Sequence, residues 1–153
     1  MSINFIFNFG NLFFQKFTER LFASSSIIDS KFSIPEKLKK IIEEARNCYA
    51  FGQYRAFISL CRTILEVAMR DIYFIKEEKT PPMNSKEYYE ECLPKKLINY
   101  VSKNGKIKKS EISDLYYEDL SPFAHGTDFQ SKEDVTSLFT KTIKLVKEIY
   151  EAN

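Results

Sequence analysis

Between Leu38 and Tyr49 the apolar positions fall at Leu38, Ile41, Ile42, Ala45, Cys48 and Tyr49. Spacing of three and four residues puts all of them on one face of a helix. Ser33-Ile34-Pro35-Glu36 supplies the start, with a serine cap, a proline in the first turn and Glu36 at the capping-box position. Gly52 supplies the stop. The next segment, Tyr54 to Ile75, contains no glycine or proline. Phe57, Leu60, Cys61, Ile64, Leu65, Ala68, Ile72 and Ile75 form its main stripe, widened by Ile58, Val67, Met69 and Phe74. A helix apolar over more than half its circumference belongs at the centre of a bundle. Arg55, Ser59, Arg62, Thr63, Glu66 and Arg70 fall on the strip that remains.

Lys76 to Pro94 reads as a charged connection broken at Pro81-Pro82, with Ser85 starting a short helical piece through Tyr88 and Tyr89. A short helix from about Pro94 to Ser102 presents Leu97, Ile98 and Val101 and stops at Asn104-Gly105. A basic loop follows, and Ser110 then caps a helix carrying Ile112, Leu115, Tyr116 and Leu120, which Pro122 closes. Ser131-Lys132-Glu133-Asp134 opens the last helix, whose Val135, Leu138, Phe139, Val146, Ile149 and Tyr150 make a continuous stripe. Each stripe must be buried against another, so the pattern predicts an all-α fold, an antiparallel bundle of about five helices over residues 33–153.

Residues 1–32 form a separate aromatic-rich segment. Phe5, Phe7, Phe9, Phe13, Phe14, Phe17 and Phe22 crowd it, but Asn4, Asn8, Gly10, Asn11, Gln15 and Lys16 interrupt every apolar run before it reaches bilayer length. It lacks the basic start and clean apolar centre of a secretory signal. The segment is read as an element that packs on the bundle or as an arm that self-associates, ahead of a membrane-surface helix, since Lys16 and Arg20 are its cations before Lys31.

Composition adds limits. The 153 residues suffice for one core without metal or disulfide support. With 23 basic and 21 acidic residues, bulk charge gives no argument for nucleic acid. Cys48, Cys61 and Cys92 form no C-x-x-C pair and read as structural thiols of a reducing, cytoplasmic protein. One histidine and dispersed cysteines give no metal-ligand spacing, no glycine-rich phosphate loop occurs, and no cofactor is expected.

The chemistry-bearing residues are few. Arg62 and Glu66 lie one turn apart on the most apolar helix, and the single histidine, His125, sits in Leu120-Ser121-Pro122-Phe123-Ala124-His125-Gly126. An R-x-x-x-E helix, a charged connection, a short helix before a K-N-G turn, a helix ending in A-H-G and a closing helix opened by S-x-E-D make up the order from Ser33 to Tyr150. That order resembles a prokaryotic domain-of-unknown-function family within the HEPN superfamily. The resemblance implies an all-α bundle, often dimeric, of the kind found in prokaryotic defence and RNA processing. It also implies, for active ribonucleases, an arginine separated from the histidine by four to six intervening residues. Carried onto this chain, the histidine is His125, and the permitted arginine positions hold Leu120, Asp119 and Glu118.

Metal-independent RNA cleavage needs a proton-transfer group and a cation facing the phosphate. His125 could supply the first, while Glu118 and Asp119 oppose the second. His125 is therefore read as a group tying the Pro122 turn to the bundle, and Arg62, Glu66 and His125 as a polar cluster fixing bundle geometry. Arginine four residues before glutamate is the weaker order for an isolated helical pair, so helix stability alone does not account for it. Lys106, Lys108 and Lys109, with Lys103 and Tyr100 nearby, are the candidate phosphate contacts, with a solvated loop as the plainer reading. The sequence thus points to a non-catalytic helical interaction module, dimeric, associated with prokaryotic defence or nucleic-acid processing. The alternatives are a ribonuclease whose arginine partner is displaced, and an RNA- or nucleotide-binding domain without cleavage.

Overall fold

A computed structural model describes residues 14–20, 34–105, 107–124 and 132–152. Among these residues the regular structure is helical and no strand occurs. A helical segment at 14–20 (α1) is followed by α2 (Glu36–Ala50), α3 (Tyr54–Lys76), α4 (Lys86–Glu91), α5 (Pro94–Asn104) and α6 (Lys109–Ser113). A π-helical turn (Asp114–Leu120), α7 (Ser121–Ala124) and α8 (Lys132–Ala152) complete the order. The fold is all-α, as the hydrophobic periodicity predicts.

The most apolar helix is the centre. Phe57, Ile58, Cys61, Ile64, Leu65, Ala68 and Met69 of α3 have no exposed surface, and α3 packs against α2, α5, the π turn, α7 and α8. Leu38, Ile42 and Ala45 of α2 reach it from one side. Val135, Phe139, Val146 and Ile149 of α8 reach it from another. Phe57 joins all three helices, its ring centroid 5.3 Å from Tyr49 and 5.4 Å from Phe139. Burying such a side chain stabilises the fold by about 1.5–3 kcal/mol. The buried Thr142 hydroxyl donates to the Leu138 carbonyl at 2.8 Å and so carries no unmet hydrogen bond into the core.

Three helix boundaries differ from the sequence reading, each for a local reason. Pro35 is the N-cap of α2, with φ −54° and ψ 142° and no side-chain cap; Ser33 lies outside the described residues. The Pro35 carbonyl accepts from the amides of Leu38 and Lys39 at 2.9 and 3.1 Å. Lys108 rather than Ser110 precedes α6, again without a side-chain cap. Pro122 does not close a helix but sits within α7. A proline in α-helix would crowd the carbonyl four residues back and leave it without a donor. Here the turns immediately upstream are widened to π geometry, and the Tyr116 carbonyl accepts from both the amide and, at 2.7 Å, the hydroxyl of Ser121.

Helix α1 meets the bundle at the α2–α3 corner. Gly52 adopts φ +74° there, the left-handed conformation that lets α2 turn into α3. The Phe17 ring of α1 lies 5.1 Å from that of Phe51. Arg20 Nη1 donates to the Ala50 carbonyl at 3.4 Å, with the guanidinium 5.4 Å from the Tyr54 ring centroid. Phe14 and Phe51 nevertheless keep 71% and 55% of their surface exposed.

Candidate functional site

Arg62 and Glu66 project from successive turns of α3 toward the π turn, and Tyr116 meets them there. Arg62 Nε donates to Glu66 Oε1 at 3.1 Å and to the Tyr116 hydroxyl at 2.9 Å. The Tyr116 hydroxyl in turn donates to Glu66 Oε1. The guanidinium carbon lies 4.7 Å from the centroid of the same tyrosine ring, adding a cation–π contact. Tyr116 is 1% exposed, whereas the side chains of Arg62 and Glu66 keep 28% and 35% of their surface. The cluster is therefore a phenol buried at the bundle surface and lidded by an ion pair.

The electrostatics follow from this geometry. Burial first, and then the hydrogen bond to Glu66, push the Tyr116 hydroxyl well above the ordinary phenol range; Arg62 pulls the other way and is outweighed. Burial works against the Arg62 charge, but Tyr116 and Glu66 together hold its pKa above the usual guanidinium value. A phenol that resists ionisation and a guanidinium that stays charged make a poor acid–base pair near neutral pH. They make a durable hydrogen-bonded joint between α3 and the π turn.

The sequence reading brought Arg62 and Glu66 together, and the structure joins them. It placed His125 as their third member; His125 lies outside the described residues, and the member observed is Tyr116. The ring of Tyr116 is buried, as its place in the apolar stripe with Ile112, Leu115 and Leu120 requires. The available signal was its hydroxyl, since a tyrosine at a core position needs a partner for its O–H.

The lysine loop behaves differently. Lys106 lies outside the described residues, while Lys108 and Lys109 are exposed. Lys108 shares a shallow valley with Lys144 and with three carboxylates, Glu111, Glu148 and Glu151. Those carboxylates oppose the approach of a phosphate.

A second polar cluster ties α3, α4 and α5. Glu91 Oε2 accepts from the Tyr73 hydroxyl and from Lys96 Nζ, and the Tyr100 ring stands edge-on to Tyr73 at 4.8 Å. Lys96, then Tyr73, hold the Glu91 carboxyl below the usual range. Like the first cluster, it joins helices through a tyrosine hydroxyl.

Other chemistry is limited. Among the described residues no group of three or more His, Cys, Asp or Glu is arranged to hold a metal ion. Also among them, no helix is long and apolar enough to cross a membrane. Cys61 is fully buried, and burial pushes its thiol far above the range in which a thiolate forms at neutral pH. Compared with protein-family models, curated proteins and solved structures, the chain gives no match.

Proposed function

We propose that the chain is a non-catalytic helical interaction module, HEPN-like in organisation, that acts as a dimer in the cytoplasm beside a prokaryotic defence or nucleic-acid-processing system. One observation carries this reading. The arginine, the carboxylate and the phenol that could have formed a reactive centre are hydrogen-bonded to one another across α3 and the π turn. A site preorganised for phosphate chemistry presents its cation outward to the developing charge. Here the Nε of Arg62 is instead committed to Glu66 and Tyr116. The window before His125 adds support, since its residues Glu118, Asp119 and Leu120 include no cation.

The test is incubation of purified protein with mixed RNA, comparing the wild type with Arg62→Ala and His125→Ala. The reading predicts that all three leave the RNA intact. Cleavage by the wild type that both substitutions abolish would replace it with the ribonuclease whose arginine is supplied from α3. Retarded RNA migration without cleavage would favour the binding domain instead.

A further inference from the structure

Arg62 is clamped at one end of its guanidinium and open at the other. Its hydrogen bonds to Glu66 and to the Tyr116 hydroxyl are both made by Nε. The guanidinium carbon lies 4.7 Å from the Tyr116 ring centroid, so the ring steadies the group as well. No described residue accepts from Nη1 or Nη2, and neither is among the buried polar atoms left without a partner, so both reach solvent. The remaining N–H groups of the planar fork are thus presented at the bundle surface, on a side chain that keeps 28% of its area exposed. Tyr117 stands beside the clasp, its ring edge-on to Tyr116 at 4.9 Å and 42% exposed.

We propose that this fork anchors a protein partner, gripping one carboxylate of that partner through both Nη groups beside the Tyr117 ring. The inference rests on the interaction-module reading and names its surface and the chemistry of its partner. A guanidinium fork matches a carboxylate through two parallel N–H···O bonds. A free arginine loses side-chain entropy when a partner orders it, whereas Arg62 is already ordered by the clamp on Nε. Arginine and tyrosine are also the side chains that tend to dominate protein interfaces. Binding needs no reaction here, since burial and Glu66 keep the neighbouring phenol protonated.

The surrounding charges favour a single carboxylate over a nucleic-acid strand. The polar strip of α3 carries Arg55, Arg62 and Arg70 against Glu66, with successive arginines about 10 and 12 Å apart along the helix. The π turn next to it carries Asp114, Glu118 and Asp119, of which Asp119 is paired with Lys141. A strand with one charge per about 3.4 Å of axis would set its intervening phosphates against Glu66 and the carboxylates of the turn. One carboxylate needs only the fork.

Nitrogen NMR spectra of the arginine side chains in the full chain test this. The probe is a blocked peptide containing one glutamate, with the same peptide carrying glutamine as the control. The expected result is a saturable shift at the Arg62 guanidinium with the glutamate peptide and none with the control. Affinity should fall roughly tenfold in Arg62→Lys, which keeps the charge but not the fork. Absence of the shift in the wild type, or an equal shift at Arg55 and Arg70, would overturn the inference whatever the stability of the variant. So would unchanged affinity in a folded Arg62→Lys protein. Tighter saturation of the same signals by a short oligouridine would overturn it too, by making the fork a phosphate site. RNA cleavage would remove the interaction-module reading itself, whereas a failed peptide titration removes only this anchor.

Discussion

Nine tyrosines in 153 residues find a use in this fold. Several serve as clasps, with the ring in the core and the hydroxyl on a neighbouring helix. Tyr116 joins the π turn to Glu66 of α3. Tyr49 of α2 meets Thr136 of α8 at 2.6 Å, and Tyr150 of α8 donates to Asp71 of α3 at 3.1 Å. Replacing Tyr116 by Phe keeps the packing and removes the clasp. A hydrogen bond to a charged group contributes about 1.5–3 kcal/mol, and water can reach the partly exposed Glu66, so the expected loss is near ~1.5 kcal/mol, read as a lower urea midpoint with unchanged slope. The alkaline limb carries a second signature. Because burial and Glu66 raise the folded pKa of Tyr116, its contribution is complete below the ordinary phenol value of 10.0 and is lost as pH rises through the higher folded value. Between the ordinary and the raised value the stability of the wild type should fall more steeply than that of Tyr116→Phe; equal slopes would deny the clasp its energetic role. Arg62 and Glu66 were legible from the sequence because helix spacing is a local property. Their meeting with Tyr116, 54 residues from Arg62, was not, because it depends on how the π turn sits against α3.

The helices themselves were readable because three- and four-residue spacing of apolar positions reports the buried face directly. α3 spans Tyr54–Lys76, where the sequence reading gives Tyr54 to Ile75. Ser85 caps α4 as its position predicts, accepting from the Tyr88 amide at 3.0 Å. The π turn escaped because its cause lies ahead of it, in a proline that relaxes the turns behind. Two expectations belong to this scale. Gly52→Ala places a side chain at φ +74° and a Cβ 2.8 Å from Arg20 Nη1. The tip of the arginine can move aside, but the left-handed backbone cannot be relieved, so a loss of about 1–2 kcal/mol is expected in a denaturant melt. The α3–α4–α5 joint sets part of the acid stability. Lys96 and Tyr73 depress the folded pKa of Glu91, so its contribution is complete above the ordinary carboxylate value of 4.5 and is lost as pH falls through the lower folded value. Glu91→Gln should therefore lower the thermal midpoint at neutral pH and leave a shallower decline in acid. A variant that declines as steeply as the wild type would place the acid sensitivity elsewhere.

For the whole molecule, the all-α architecture followed from stripes that must cover one another, while function is set by surfaces whose partners periodicity does not reveal. The bundle core is carried by α2, α3, α5, the π turn and α8, and α1 adds a corner contact through Phe17 and Arg20. Deleting residues 1–20 should therefore preserve a cooperative melt at a reduced midpoint and preserve self-association through a bundle face. Loss of cooperativity would make the N-terminal segment part of the core, and a folded monomer would make it the interface. The account as a whole stands on the chain acting through association rather than chemistry. Sedimentation velocity of the full-length wild type at micromolar concentration and low salt tests that most directly. A dimer is the expected result, and a monomer across the concentration series would contradict it.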